Sequence, residues 1–191
     1  MQITKLKRRP KALRSAKIVV ALAISLIAAA AGSCLASPNP REQGSITRVV
    51  DGDTIVVRLD SGKTEHVRLI GIDTPESKPN KRANMQAQRS GRDESAIIAL
   101  GKKAWHNTET LAPVGTRVEL ELDVQPRDKY KRLLAYAYLP DGRMLNEEIL
   151  RSGFANLLTI PPDVRYTEKF RKAYEESRAA GRGLWSENIS W

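Results

Sequence analysis

Two acidic turns carry the residues of this chain that are best suited to chemistry. Asp53 lies in the turn Asp51-Gly52-Asp53-Thr54, and Asp73 follows the apolar stretch VRLIGI at 67–72. Both turns border predicted β-strands, so their carboxylates can converge on one hard cation. Oxygen ligands suit calcium or magnesium, and calcium better tolerates irregular mixtures of carboxylate, carbonyl and water. The pattern predicts a divalent-cation site, with simple turn formation as the alternative role for these aspartates.

Three further residues are suited to act on a phosphate. Arg68 interrupts an apolar strand, where a buried arginine needs a charged partner. Glu76 follows Asp73 beyond a proline and can position or deprotonate a water, and Arg132 precedes another apolar strand. Carboxylates that hold a metal, beside arginines that hold a phosphate, are the parts needed to hydrolyse a phosphodiester. The plainer alternatives are a salt bridge for Arg68, a solvated loop carboxylate for Glu76 and a surface charge run around Arg132.

Histidine and cysteine contents argue against other site chemistries. His66 and His106 are the two histidines and Cys34 is the single cysteine, so a zinc site of the usual composition is not expected. One cysteine also excludes a disulfide within the chain.

The net charge of +10 is misleading about the folded part of the chain. Seven of the 32 basic residues precede residue 18 and no acidic residue does, which leaves 25 basic against 22 acidic residues. A basic surface that binds nucleic acid must therefore come from local placement in the folded domain. The length of 191 residues, with 41% hydrophobic and 28% charged residues, is that of one ordinary globular domain.

The first 36 residues have the organisation of a leader. A basic stretch precedes the apolar run IVVALAISLIAAAA at 18–31, which is typical of a secretory signal. An uncleaved membrane anchor and a buried helix are the alternatives. Cys34 follows small residues, as in the lipidation signal of bacterial lipoproteins. The alternative to lipidation at Cys34 is ordinary cleavage of the leader after Ala36. We expect a secreted or cell-envelope protein that contacts the membrane only through this leader or a lipid on Cys34.

The remaining chain predicts one domain at 45–189 after a linker at 37–44. Alternating or apolar stretches predict strands at 46–50, 54–59, 65–72, 116–124 and 132–139, and residues 77–92 are predicted to be a polar loop. Helices are predicted at 93–111, after an Asn146 cap and after a Thr167 cap. This order indicates an α+β fold with a mainly β core: an OB-fold, which is a five-stranded Greek-key barrel, with three helices.

Several of these motifs together resemble the staphylococcal nuclease (thermonuclease) family, from about residue 45 to residue 185. The matching stretches are VVDGDT at 49–54, VRLIGIDTPE at 67–76, DKYKRLLAY at 128–136, the pair Asn146-Glu147 with Gly153 and Ala155, and GLW at 183–185. The resemblance implies an OB-type barrel and calcium-dependent hydrolysis of DNA and RNA that leaves 3′-phosphate ends. It also implies that the carboxylates of Asp53 and Asp73 and the carbonyl of Thr74 bind Ca²⁺. We expect a monomer.

The resemblance assigns the remaining site residues as well. It implies that Glu76 is the catalytic glutamate and that Arg68 and Arg132 bind the phosphate. Lys129 and Tyr130 match residues that hold a terminal phosphate of a bound nucleotide. The complete set favours an enzyme over a non-catalytic OB-type module that binds nucleic acid, which is the alternative interpretation.

Three features depart from the family pattern. Lys131 replaces a glycine beside the catalytic arginine, and the loop after Glu76 is longer. The stretch at 156–162 lacks the tyrosines that line the family's nucleotide pocket. We therefore expect binding that depends less on the base and more on phosphate charge.

Overall fold

A computed structural model describes residues 41–187. Five strands form a closed barrel in the order β1-β2-β3-β6-β5, and β4 pairs with β7 in a separate two-stranded sheet. The strands are β1 (Arg41–Asp51), β2 (Thr54–Leu59), β3 (Thr64–Leu69), β4 (Ile72–Asp73), β5 (Arg117–Glu121), β6 (Leu133–Tyr138) and β7 (Asn156–Leu157). The predicted leader, Cys34 and the start of the predicted linker lie outside the described residues.

The helices pack outside the barrel. They are α1 (Lys81–Ser90), α2 (Glu94–Leu111), α3 (Leu145–Arg151), α4 (Thr167–Ala179) and a short 3-10 helix (Gly183–Glu187). Of these, α2 contacts β1 and α3 contacts β6. The α+β class and the five-stranded barrel predicted from the sequence are confirmed. Among the helices of residues 41–187, none combines the length and the apolar composition required to cross a bilayer.

The barrel closes because one long strand, β1, serves two neighbours. Its first half pairs with β5 and most of its length pairs with β2, both antiparallel. Two register shifts, after Ile46 and after Val49, mark bulges that bend the strand around the core. Gly44 allows β1 to lie close to β2, because a Cβ at this position would lie 2.5 Å from the carbonyl oxygen of Arg58. Apolar side chains of all five strands then fill the interior.

One pair of barrel strands is parallel and brings two distant parts of the sequence together. β3 pairs with β6, and Arg68 lies opposite Leu134 in that register. Because Arg132 directly precedes β6, the two arginines singled out in the sequence come from adjacent strands.

The segment predicted as a polar loop at 77–92 contains a helix, and that prediction is wrong. Asn80 caps α1 by accepting hydrogen bonds from the amides of Arg82 and Ala83, and Gly91 ends it in the left-handed conformation. The helix buries only Ala83, Gln86 and Ala87. Hydropathy alone does not distinguish a helix with such a narrow buried face from a solvated loop. For this reason the sequence predicted three α-helices, whereas the described residues form four.

Two predicted caps are also wrong. Asn146 lies inside α3, where it is fully buried. It accepts from the amide of Ala137 at 3.0 Å and donates to the carbonyls of Ile70 at 2.8 Å and Ala135 at 3.3 Å. It thus joins the helix to the barrel. α4 begins at Thr167, and the preceding Tyr166 makes no side-chain cap hydrogen bond.

Candidate active site

A sharp turn after β3 positions the acidic segment at 73–76. Gly71 has a φ of +83°, and a Cβ there would lie 2.4 Å from the ring of Phe170. Glycine is therefore required both by conformation and by space. The chain then enters β4, in which Asp73 pairs with Asn156 of β7. This pairing holds Asp73 beside the end of β3.

Two aspartates converge on one buried arginine. Arg68 is 6% exposed, and its Nη2 lies 3.1 Å from Asp53 Oδ2 and 3.3 Å from Asp73 Oδ1. Its Nη1 donates to the carbonyl of Leu69 at 2.8 Å. The amide of Thr74 donates to Asp53 Oδ2 at 3.1 Å, which ties the two acidic turns together. The sequence expectation that a buried arginine in this strand needs charged partners is confirmed.

Helix α1 binds the loop that carries Glu76. The amide of Glu76 donates to Gln86 Oε1 at 3.0 Å, and Gln86 Nε2 donates to the carbonyl of Thr74 at 3.2 Å. Asn80 Nδ2 donates to Glu76 Oε2 at 2.8 Å. The two hydrogen bonds of Gln86 hold the loop backbone, and the hydrogen bond from Asn80 holds the Glu76 carboxylate itself.

Arg82 of α1 adds a second guanidinium to the acidic cluster. It forms an ion pair with Asp73, and its Nε lies 3.1 Å from Glu76 Oε1. The sequence interpretation missed Asn80, Arg82 and Gln86. An asparagine followed by a polar stretch that ends at Gly91 was the available signal for a helix there.

The carboxylates are crowded, and their charge is only partly compensated. Burial, with repulsion from Asp53 and Glu76, raises the pKa of Asp51 to about 7. Asp51 also accepts from the amide of Gly52 at 3.0 Å, which is the turn role expected from the sequence. Burial raises the pKa of Asp73 above its ordinary value, although Arg82 and Arg68 oppose the shift. A site with these properties favours an added cation.

Arg132 approaches the same cluster through Thr54. Its Nε donates to Asp128 Oδ2 at 2.7 Å, and its Nη1 lies 3.4 Å from Thr54 Oγ1. Thr54 in turn donates to Asp53 Oδ1 at 3.0 Å. Arg132 is therefore one hydroxyl away from a proposed metal ligand.

The turn that carries Arg132 is strained at Lys131. Lys131 has a φ of +66°, and no other non-glycine residue at 41–187 has a positive φ. The glycine that the family pattern has at this position adopts this conformation without steric cost. Tyr130 is 69% exposed in the same turn, and the Lys129 Nζ and the Arg132 guanidinium lie 5.1 and 5.6 Å from the centre of its ring.

A cavity of about 360 Å³ opens beside these groups. Its polar wall includes Arg68, Arg82, Arg132, Lys129 and Tyr130. The apolar wall includes Ile72, Leu134, Leu158 and Ile160. The stretch at 156–162 thus contributes aliphatic side chains.

Tyr166 is engaged away from this cavity. Its hydroxyl lies 3.0 Å from that of Tyr138 and 3.1 Å from Glu121, and its ring packs edge-on against Tyr136. Tyr130 is therefore the one aromatic residue among the described residues that line the cavity.

The donors at this site fit a hard cation. Within residues 41–187, no group of three or more His, Cys, Asp and Glu side chains is arranged to hold a metal ion. The available donors are the carboxylates of Asp53 and Asp73, whose Oδ2 and Oδ1 atoms lie within 3.3 Å of the same Arg68 nitrogen, and the carbonyl of Thr74. Thr74 Oγ1 is also buried and has no hydrogen-bond partner in the described part of the chain. An oxygen-only set that water completes suits calcium.

Comparisons with known proteins find similar sequences. Residues 66–187 match a family model described as staphylococcal nuclease homologue. The chain is 34% identical over 150 residues to the thermonuclease of Staphylococcus hyicus, which covers 78% of this chain and 79% of that relative. It is 36% identical over 141 residues to the thermonuclease of Staphylococcus intermedius, covering 73% and 74%. It is 33% identical over 157 residues to the endonuclease YncB of Bacillus subtilis, covering 80% and 66%.

Proposed function

The chain belongs to the staphylococcal nuclease family and is a nuclease, and from this premise we propose that it is a calcium-dependent hydrolase of DNA and RNA that leaves 3′-phosphate ends. One observation carries the proposal. Asp53 and Asp73 converge on Arg68 Nη2 in the wall of a cavity that Arg132 also lines. Anionic metal ligands beside two guanidinium groups match the needs of phosphodiester hydrolysis.

Asp53, Asp73 and the carbonyl of Thr74 are the residues proposed to hold calcium. The chemistry that calcium supplies when bound is polarisation of a phosphoryl oxygen. The amide of Thr74 donates to Asp53, and Gln86 donates to the Thr74 carbonyl, so the backbone of Thr74 is held on both sides.

The other proposed roles follow from the same geometry. Arg68 and Arg132 bind the phosphoryl oxygens and offset the charge that develops on them. Glu76 accepts a proton from, or orients, the attacking water. The water oxygen bonds to phosphorus and the bond to the 5′ oxygen breaks, so the phosphate stays on the 3′ side. Lys129 and Tyr130 line the cavity, and the family resemblance alone supports their proposed contact with a terminal phosphate.

Localisation outside the cytoplasm is a separate proposal. It is supported by the basic stretch and the apolar run of the first 36 residues. We propose a secreted or envelope-attached monomer.

An assay with defined ends tests the proposed function. A chain that begins at residue 37 should degrade single-stranded DNA and RNA in millimolar calcium and stop when EGTA is added. The DNA products should support polymerase extension only after phosphatase treatment, because a 3′-phosphate blocks extension. Arg68→Lys keeps the charge but loses the planar fork, and should lower turnover by about 10²–10³.

Two outcomes would contradict the proposal. Full activity in excess EGTA would exclude the calcium requirement. Nucleic-acid binding without cleavage, in a folded sample at millimolar calcium, would favour a binding module instead.

A further inference from the structure

Arg82 occupies a position in the acidic cluster that the sequence pattern did not assign. It lies in the first turn of α1 and forms an ion pair with Asp73. Its Nε lies 3.1 Å from Glu76 Oε1. One guanidinium thus contacts both a proposed metal ligand and the proposed catalytic carboxylate.

Arg82 contacts the Asp73 oxygen on the side of Asp53, where a cation shared by the two carboxylates would bind. Asp73 Oδ1 accepts from Arg68 Nη2 and from Arg82 Nη2 at the same time. A carboxylate oxygen has two lone-pair directions, and two guanidinium groups occupy both. A cation can therefore bind Asp73 Oδ1 only if one arginine withdraws.

The two arginines differ in their freedom to withdraw. The side chain of Arg68 is 7% exposed and is held by Asp53 and the carbonyl of Leu69. The side chain of Arg82 is 41% exposed and lies on a surface helix. Arg82 can move into solvent without opening the barrel, whereas Arg68 cannot.

We propose that Arg82 is an internal competitor of the divalent cation: it neutralises Asp73 and Glu76 in the metal-free protein, is displaced when the cation binds, and so sets the cation affinity. This inference rests on the proposed calcium site. Arg82 is a positioning residue in this scheme, because it also keeps the carboxylates of Asp73 and Glu76 in place before the cation arrives.

A calorimetric titration with calcium chloride alone tests this role. Full-length protein purified in a mild detergent is compared with Arg82→Gln, Arg82→Lys and Arg89→Gln. Arg89 lies in the last turn of the same helix and serves as the matched control for loss of one charge. Arg82→Gln should bind calcium at least about tenfold more tightly than wild type, because the cation no longer has to break charge-assisted contacts. Arg89→Gln should stay within about twofold, as expected for a screened surface charge, and Arg82→Lys should lie between.

Thermal unfolding supplies a readout independent of titration and activity. Without calcium, Arg82→Gln should melt below wild type, because two buried or half-buried carboxylates lose a partner. With saturating calcium the two melting temperatures should converge, because the cation has displaced Arg82 in wild type and Arg82→Gln has no arginine to displace. The two measurements form a thermodynamic cycle. The gain in calcium-binding free energy of Arg82→Gln must therefore equal the stability difference that calcium removes.

Each outcome decides between the proposals. Equal calcium affinity in Arg82→Gln and Arg89→Gln overturns the role of Arg82 and leaves the calcium site standing. Unchanged calcium affinity with weaker binding of a nucleoside bisphosphate would make Arg82 a phosphate ligand and likewise overturn the inference. No calcium binding by any variant overturns the calcium site and the inference together. If Arg82→Gln does not fold, Arg82→Lys alone must bind calcium more tightly than wild type.

Discussion

A salt bridge between Glu65 of β3 and Arg127 supports the turn that carries Arg132. Removing this salt bridge is the sharpest test of how the fold supports the site. Arg127 Nη2 donates to Glu65 Oε1 at 2.7 Å and its Nη1 to Oε2 at 3.0 Å. Nη1 also donates to the carbonyl of Lys131 at 2.8 Å. The perturbation is Glu65→Gln, which keeps the shape of the side chain and removes its charge.

The magnitude follows from the acidity of Glu65. The Arg127 hydrogen bonds lower its pKa from 4.5 to about 2, with a further contribution from Lys63. A shift of this size corresponds to at most about 3 kcal/mol. Because the Arg127 side chain is 37% exposed, solvent screening reduces the expected loss for Glu65→Gln to about 1–2 kcal/mol.

The sign of the pH dependence follows from the same shift. The folded-state pKa of Glu65 lies below its unfolded value, so the stabilisation is fully present above pH 4.5 and is lost as the pH falls toward 2. The difference between wild type and Glu65→Gln should therefore be largest near pH 7 and shrink on acidification.

Urea denaturation at pH 7 and at pH 3 measures this difference. Asp60→Asn is the matched control, because Asp60 makes a similar two-pronged pair with Arg117 on the exposed surface and should lose less stability. Turnover of Glu65→Gln should also fall, since Arg127 then holds the Lys131 carbonyl less firmly. An equal loss in both variants, or a loss that persists unchanged at pH 3, would refute the reasoning.

Five further changes test other parts of the protein. Glu76→Gln and Arg132→Lys should each lower turnover by about 10²–10³ with little change in melting temperature; near-wild-type rates would remove these residues from the reaction. Lys131→Gly should raise the free energy of unfolding by up to about 1 kcal/mol, because relief at φ +66° exceeds the added entropy of the unfolded chain; a loss of stability in urea would contradict this. Ile160→Tyr should tighten a nucleoside bisphosphate by stacking worth about 1–3 kcal/mol, measured by competitive inhibition. Cys34→Ala should release the protein from membranes on fractionation only if Cys34 is lipidated.

Local patterns were sufficient for the barrel and for the chemical types at the site. The apolar stretch at 54–59 predicted β2 at its observed bounds. Arg68 in an apolar strand predicted buried charged partners, and the structure supplies Asp53 and Asp73. These predictions succeed because strand burial and the cost of an unpaired buried charge act on every short segment, whatever its neighbours are.

Asn146 shows where local patterns mislead. Followed by two glutamates, it has the pattern of a helix cap, and the sequence interpretation used it as one. In the fold its amide bonds to Ala137, Ile70 and Ala135, which belong to or flank two barrel strands. An asparagine side chain satisfies a helix end and a strand end equally well, so the sequence alone cannot distinguish the two uses.

The sequence by itself determined the donor types, the positions of the five barrel strands along the chain and the incomplete aromatic lining of the cavity, because these depend on residue identity and on short-range periodicity. Only the tertiary structure decided which arginine side chains lie near the carboxylates. The parallel pairing of β3 with β6 brings Arg132 beside Arg68, and the polar helix α1 brings Arg82 to Asp73 and Glu76. Contacts between segments far apart in the chain, or on a helix with a narrow buried face, leave no periodic signal, because they depend on how whole elements pack.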